Sequence, residues 1–255
     1  MPEIAKPTVV GAAPEGATDK ASAARAVREM FTSIAPRYDL LNHVLSLNVD
    51  RMWWRRTAGR FRHILTRSDA RALDLCCGTG DMTFALRRAG KSAPQIFGAD
   101  FSHAMLQRAS AKSASLNPTQ RIPAWIESDA LNLPFPDGHF DLVTSAFGFR
   151  NLADYDAGLR EISRVLRPGG ECGILDFGEP KGLLGSLYRF YFKQVLPRIG
   201  TIISGVSGPY AYLPASVERF PAPQEMLVRM KNAGFSDVNW TPYTFGIAGL
   251  YWGKK

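Results

Sequence analysis

With 255 residues, 45% of them apolar and 21% charged, the chain has the composition of a folded globular protein. It has no apolar run near the roughly 20 residues that a membrane-crossing helix needs. The formal net charge is +8, with basic clusters at Arg51 to Arg62, Arg87 to Lys91 and Arg160 to Arg167. A nucleic-acid surface would interleave exposed aromatics, which Trp53-Trp54-Arg55-Arg56 matches only superficially, and attraction to an anionic membrane surface is a second use of the charge.

Residues 1–20, rich in Ala, Pro and Gly, read as a disordered tail without function of its own. Residues 21–66 read as a helical N-terminal cover: Ala21 to Ser33, a break at Pro36, then Leu40 to Leu65 with apolar positions on helical spacing. In Trp53-Trp54-Arg55-Arg56 the indoles are expected to be buried against a core. From residue 67 to 255, short apolar runs alternate with helical patterns, which predicts a parallel sheet with crossover helices. Strands are expected at Arg71 to Leu75, Ile96 to Asp100, Ala124 to Glu127, Asp141 to Ala146 and Glu171 to Phe177. Helices are expected near Thr83 to Arg88, Ala104 to Ser113 and Tyr155 to Leu166. Pro168-Gly169-Gly170 stops the last of these. An aromatic-rich insertion spans 183–213, a helix runs from Gln224 to Ala233, and Val238 to Tyr243 with Phe245 to Tyr251 read as a closing strand pair.

The most informative stretch is Asp74-Leu75-Cys76-Cys77-Gly78-Thr79-Gly80-Asp81, a strand breaking into a Gly-x-Gly turn before a helix. Such glycines let the backbone approach a ligand at a helix N-terminus. The third glycine of a dinucleotide loop is replaced by Thr83, and Asp81 would repel a pyrophosphate. An acid-bearing loop suits a ligand with cationic groups, and S-adenosyl-L-methionine has two. Asp100 ends the next strand where ribose hydroxyls are gripped. Asp129, with Ala130, follows the third strand where an adenine amine could donate to it. Each acid alone could equally be a solvated strand end.

Together with Leu133-Pro134-Phe135-Pro136-Asp137-Gly138-His139-Phe140-Asp141 and Glu161 to Gly170, these segments resemble class I S-adenosylmethionine methyltransferases. Three further stretches, Phe31 to Asn42, Ala146 to Asn151, and Leu196 to Gly200 with Tyr210 to Leu213, resemble the quinone-biosynthesis C-methyltransferases. These act on demethylmenaquinol or a ubiquinol precursor. The resemblance covers about residues 25 to 255. It implies an α/β, Rossmann-like fold with a seven-stranded, mostly parallel sheet, an antiparallel last strand and a helical N-terminal cover. It also implies S-adenosyl-L-methionine held by Asp74, Gly78, Thr79, Gly80, Asp100, Phe101, Asp129, Ala130 and Ala146. Ala146 stands where family members commonly have Ser, and the last strand carries Leu250-Tyr251-Trp252 where a His is common.

The same likeness points to Arg150-Asn151 as the catalytic pair, placed to hold or deprotonate a phenolic hydroxyl. The structural alternative for Arg150 is a pair with Asp154 or Asp156. Tyr38 is a candidate substrate contact or a core tyrosine. The partner expected is a prenylated quinol, its tail in the aromatic insertion, which otherwise packs on the sheet or in a homodimer seam. Demethylmenaquinol is the favoured substrate, with a ubiquinone-pathway benzoquinol or another small molecule as the alternative. No metal is expected, since His43, His63, His103 and His139 are dispersed. Three cysteines cannot make a disulfide framework, and no signal-peptide pattern opens the chain. The expected setting is therefore cytoplasmic, peripheral at the inner face of the membrane.

Overall fold

The computed structural model describes residues 11–12, 14, 16–39, 46, 48–91, 94–116, 121–178, 180, 185 and 209–255. Seven strands form one sheet: β1 (Arg71–Leu75), β2 (Gln95–Asp100), β3 (Ala124–Glu127), β4 (Phe140–Ala146), β5 (Leu166–Phe177), β6 (Ser236–Tyr243) and β7 (Ala248–Lys254). Their order is β3-β2-β1-β4-β5-β7-β6. The first five run parallel, and β7 is antiparallel to both neighbours. Pro242 is tolerated in β6 because β6 is an edge strand, where a missing N–H breaks no inner ladder.

Alternating side chains on the central strands divide the core in two. Ala72, Leu142, Leu175 and Leu250 face the helices that cover one side, α2 (Val49–Arg60), α3 (Arg62–Leu65) and α4 (Asp81–Ala89), where Trp53, Trp54, Phe61 and Leu86 are buried. The expected burial of the paired indoles is met, while Arg55 and Arg56 stay in water. Leu73, Val143, Ile174 and Tyr251 face α6 (Tyr155–Val165) and α8 (Pro223–Asn232). In α6 the buried stripe Leu159, Ile162 and Val165 recurs every third residue, and Asp154 caps the helix by accepting from Ala157 N–H at 2.9 Å. The remaining helices are α1 (Lys20–Ile34), α5 (His103–Ser113) and α7 (Pro209–Arg219).

Several expectations are corrected. Gly11 and Ala12, expected in the tail, are buried, and Ala12 N–H donates to Leu152 O at 2.7 Å. The helix expected from Leu40 to Leu65 is described only from Val49 and breaks at Phe61, whose ring fills the space left by the missing Cβ of Gly173. Residues 40–45 and 47 and nearly all of the aromatic insertion at 183–208 lie outside the described residues. The last strand begins at Ala248 rather than Phe245, because Thr244–Gly246 form a tight turn with positive φ throughout.

The sheet order reverses between β1 and β4, which opens a crevice at their C-terminal ends. α1 crosses over this crevice. It is tied down by the Arg28–Glu127 and Lys20–Asp154 pairs and by Thr32 Oγ1 to Ser102 Oγ at 3.1 Å.

Candidate active site

The crevice forms a partly open cleft beneath the N-terminal helices. Of the nine residues proposed to hold a cofactor, Gly78, Asp100, Phe101, Asp129, Ala130 and Ala146 line it. Tyr38 and Asn151, two of the three catalytic candidates, line it as well.

The turn after β1 positions this wall. Cys76, Gly78 and Gly80 all have positive φ, at 54°, 54° and 90°. Gly78 is free to adopt that conformation, and its N–H donates to Asp100 Oδ2 at 2.9 Å. At Gly80 a Cβ would sit 2.7 Å from the Trp125 ring, so the second glycine is needed for close packing and does not reach the cleft. Gly148 is required for the same reason, since its Cβ would meet that of Cys76 at 2.4 Å.

Three cofactor candidates, Gly80 among them, turn away from the cleft. Asp74 is fully buried and accepts from Thr83 Oγ1 at 2.6 Å and Thr144 Oγ1 at 3.1 Å. Burial pushes its carboxyl up to about 7, against the lowering effect of the two hydroxyls. It is a strut beneath the turn. Thr79 donates to Asp39 Oδ1 at 2.5 Å and accepts from Lys112 Nζ at 2.9 Å. Lys112 also pairs with Asp39 at 2.8 Å and with Asp81 at 3.1 Å. This network clips the end of the N-terminal helices to the turn, and it engages Asp81, the acid expected to attract a cationic ligand.

Asp100 differs from Asp74. Its oxygens accept from Gly78 and Ser102 N–H, both at 2.9 Å, yet it remains on the cleft wall. Burial raises it to about 6, so near neutrality it is mostly an anion with lone pairs left for ligand hydroxyls. Asp129 is exposed and uses Oδ1 for Leu131 N–H at 2.9 Å. Two further polar atoms, Ser128 Oγ and Asn151 Oδ1, are buried at this wall without a partner in the described residues. Buried acceptors without donors are costly, so both fit a site that a polar ligand completes.

Arg150, the third catalytic candidate, is not on the cleft lining. Its guanidinium lies 3.1 Å from Asp176 Oδ1, donates to Ser216 Oγ at 3.3 Å and to Phe147 O, and stacks 5.2 Å from the Phe177 ring. Its backbone N–H donates to Asp176 Oδ2 at 3.0 Å. Neither carboxylate offered as its structural partner is used: Asp154 holds Lys20 and Asp156 holds Arg229 at 2.8 Å. Asp176 is fully buried, which raises its carboxyl, while Arg150 opposes that rise.

Sequence reasoning missed several walls, among them Phe31, Met105, Ser128, Phe147 and Leu152. Phe147 is visible as part of the Phe-Gly pair after β4, but nothing in the pattern says that its ring faces a ligand. Among the described residues no cluster of His, Cys, Asp or Glu could hold a metal ion, and no helix is long and apolar enough to cross a membrane.

Comparison with known proteins places this geometry. Residues 18–255 match the model of the ubiE/COQ5 methyltransferase family. A demethylmenaquinone methyltransferase of Deinococcus radiodurans is 49% identical over 240 residues, covering 93% of this chain and 95% of the relative. One from Thermus thermophilus is 48% identical over 227 residues, covering 89% of this chain and all of the relative. Among solved structures, a SAM-dependent methyltransferase from Aquifex aeolicus superposes with a TM-score of 0.54 at 17% identity, over 74% of this chain and 82% of that one, a likeness of fold. With its sequence matched over residues 18–255, the chain belongs to the ubiE/COQ5 methyltransferase family.

Proposed function

We propose that this S-adenosylmethionine-dependent methyltransferase converts demethylmenaquinol to menaquinol by methylating a carbon of the quinol ring. The observation that carries the reading is a cleft with unpartnered acceptors in a chain 49% identical to a demethylmenaquinone methyltransferase. Family relatives carrying a joint ubiquinone/menaquinone name, such as that of Geobacter sulfurreducens at 43% identity, make a benzoquinol the second reading.

The donor, when bound, would supply an electrophilic sulfonium methyl, leaving as the thioether S-adenosylhomocysteine while the ring carbon gives up its proton to solvent. In this reading Asp100 accepts its ribose hydroxyls, Asp129 and Ser128 its base, and Gly78, Phe101, Ala130 and Ala146 shape the wall. Asp74, Thr79 and Gly80 support the turn instead of touching the donor. Residues 21–66 act as the cover of a domain running from 67 to 255, with Tyr38 and Phe31 closing the cleft from above. Asn151 accepts a hydrogen bond from a phenolic hydroxyl, which raises electron density at the ring carbon to be methylated. Arg150 is a positioning residue: through Phe147 O and Asp176 it fixes the segment that carries Asn151. Alignment of the ring over the methyl provides most of the acceleration, since orientation alone supplies roughly 7–11 kcal/mol. The apolar side chains of Phe31, Phe147 and Met105 beside it keep water out, which favours a step that neutralises a cation.

The partner is a prenylated quinol, met at the inner membrane surface by a cytoplasmic enzyme. No role for nucleic acid is assigned, and a homodimer is open to test by sedimentation. The test of function is a mass-resolved assay on short-chain demethylmenaquinol and the matching benzoquinol. Product heavier by one methylene from the naphthoquinol, in excess over the benzoquinol, supports the reading. Turnover of the benzoquinol alone assigns the second one.

A further inference from the structure

One surface turn puts three consecutive residues at positive φ. The β6–β7 connection holds Thr244, Phe245 and Gly246 in succession at φ of 44°, 57° and 92°. Glycine adopts this region freely, whereas a β-branched or bulky residue there is a steric outlier. The strain brings no burial in return, because Phe245 is 81% exposed. The turn is also held in place: Trp53 Nε1 donates to Thr244 Oγ1 at 2.8 Å, and Gly178 N–H donates to Ile247 O at 3.0 Å. An aromatic ring forced outward by a braced, strained turn is an outlier of the kind that marks function.

The outer face of α2 lies beside it. Arg56 stacks 4.3 Å from the ring of Tyr243, the residue before the turn. Met52, one helical turn away from Arg56, is 52% exposed, and Arg51 and Arg55 are exposed with it. Arg88, at the end of the adjacent α4, joins the group. Its pKa is lowered by burial and, against a pull from Asp81, by the like charges of Arg55, Arg87 and Arg51. Among the described residues, no ion pair is formed by Arg51, Arg55, Arg56 or Arg88; Asp81, whose charge acts on Arg88, is held by Lys112. The patch adjoins the cleft through Trp53, whose ring is 5.7 Å from that of Phe147 on the cleft wall and 6.3 Å from that of Phe177.

We propose that Phe245 and Met52, with Arg51, Arg55, Arg56 and Arg88, form a docking surface for an anionic phospholipid bilayer. The ring enters the interfacial layer and the guanidiniums meet headgroup phosphates, the pairing of apolar and cationic signals that stable peripheral binding needs. This deepens the proposed function and rests on it, because a prenylated quinol resides in the bilayer and its ring must reach the side of the cleft walled by Phe147.

The test is co-sedimentation of the full chain with vesicles of phosphatidylcholine alone or mixed with phosphatidylglycerol. The wild type is expected to bind the mixed vesicles and not the neutral ones. The triple variant Arg51→Gln/Arg55→Gln/Arg88→Gln is expected to bind them on the order of 100-fold more weakly. Phe245→Gly suits the left-handed backbone, so the fold is kept, and binding is expected to drop about tenfold. Both variants keep wild-type turnover of a water-soluble short-chain quinol. Equal binding to neutral vesicles, unchanged binding by the variants, or displacement from vesicles by duplex DNA overturns the docking surface. Absence of turnover on the soluble quinol, with vesicle binding intact, instead overturns the proposed substrate and leaves the surface standing.

Discussion

Two buried carboxylates close to the cleft are handled in opposite ways. Under the glycine turn, Asp74 meets only the hydroxyls of Thr83 and Thr144, and burial raises its pKa to about 7. Beyond β4 and β5, Asp176 meets the guanidinium and backbone N–H of Arg150. The first region tolerates loss of charge, because a protonated acid or an amide can serve the same hydroxyls. The second does not, because removing either partner strands a charge in the core. A strand-end acid therefore states nothing about ligand binding until its partners are known. Asp100, between these extremes, keeps one side open to the cleft.

The sharpest way to break this contrast is Arg150→Ala, which leaves Asp176 unpaired. It should destabilise the fold by about 3–5 kcal/mol in urea unfolding. In Arg150→Met/Asp176→Leu, with no charge left buried, much of that stability should return while turnover stays low. Recovery of turnover along with stability would remove Arg150 from the positioning role.

Next in size is Asp100→Ala, expected to weaken donor binding by about 1.5–3 kcal/mol, the value of a hydrogen bond to a charged group. Asp74→Asn should cost less than about 1 kcal/mol of stability and leave donor affinity nearly unchanged.

The pH responses sharpen the same comparison. Both Asp74 and Asp100 have folded pKa values above the unfolded value of 3.8. The folded chain therefore holds the extra protons, and these groups favour folding most below pH 3.8. That contribution is lost as pH rises toward about 6 for Asp100 and about 7 for Asp74. Donor affinity moves the other way, falling as acid below about pH 6 protonates Asp100. Unfolding curves and titrations across this range should show opposite slopes, and Asp74→Asn should flatten the first without altering the second.

The smallest effect is expected at the clip between Asp39, Lys112 and Thr79. Lys112 and Asp39 are each 30% exposed, so Lys112→Met should cost under about 1 kcal/mol. It should raise KM for the donor more than it lowers kcat, with the wild-type difference shrinking in high salt.

Much of this fold is legible in the chain. Strand–turn–helix order and the two buried indoles follow from periodicity and local steric rules, which act within a few residues, whereas α6 ends already at Val165 and β5 takes in Pro168 to Gly170, where the sequence predicts a turn. Strand number and the antiparallel β7 come from likeness, since pairing partners are distant in sequence. At the site, Gly78, Asp100 and Asp129 are readable because each ends an apolar run at the crevice edge. Asp74 and Thr79 are not, because sequence spacing does not show which face of a turn a side chain takes. The Arg150–Asp176 pair spans 26 residues, and the nearer Asp154 and Asp156 are more visible along the chain than in space. Phe245 looks like strand because its neighbours are apolar, while the positive φ of the turn depends on the long-range brace from Trp53.

The most direct measurement is calorimetric titration of S-adenosylmethionine into the wild type, Asp100→Ala and Asp74→Asn. One site in the wild type, a loss of at least about tenfold for Asp100→Ala and a change within about threefold for Asp74→Asn are predicted. No binding to the wild type, or equal losses in the two variants, would contradict the assignment of the crevice.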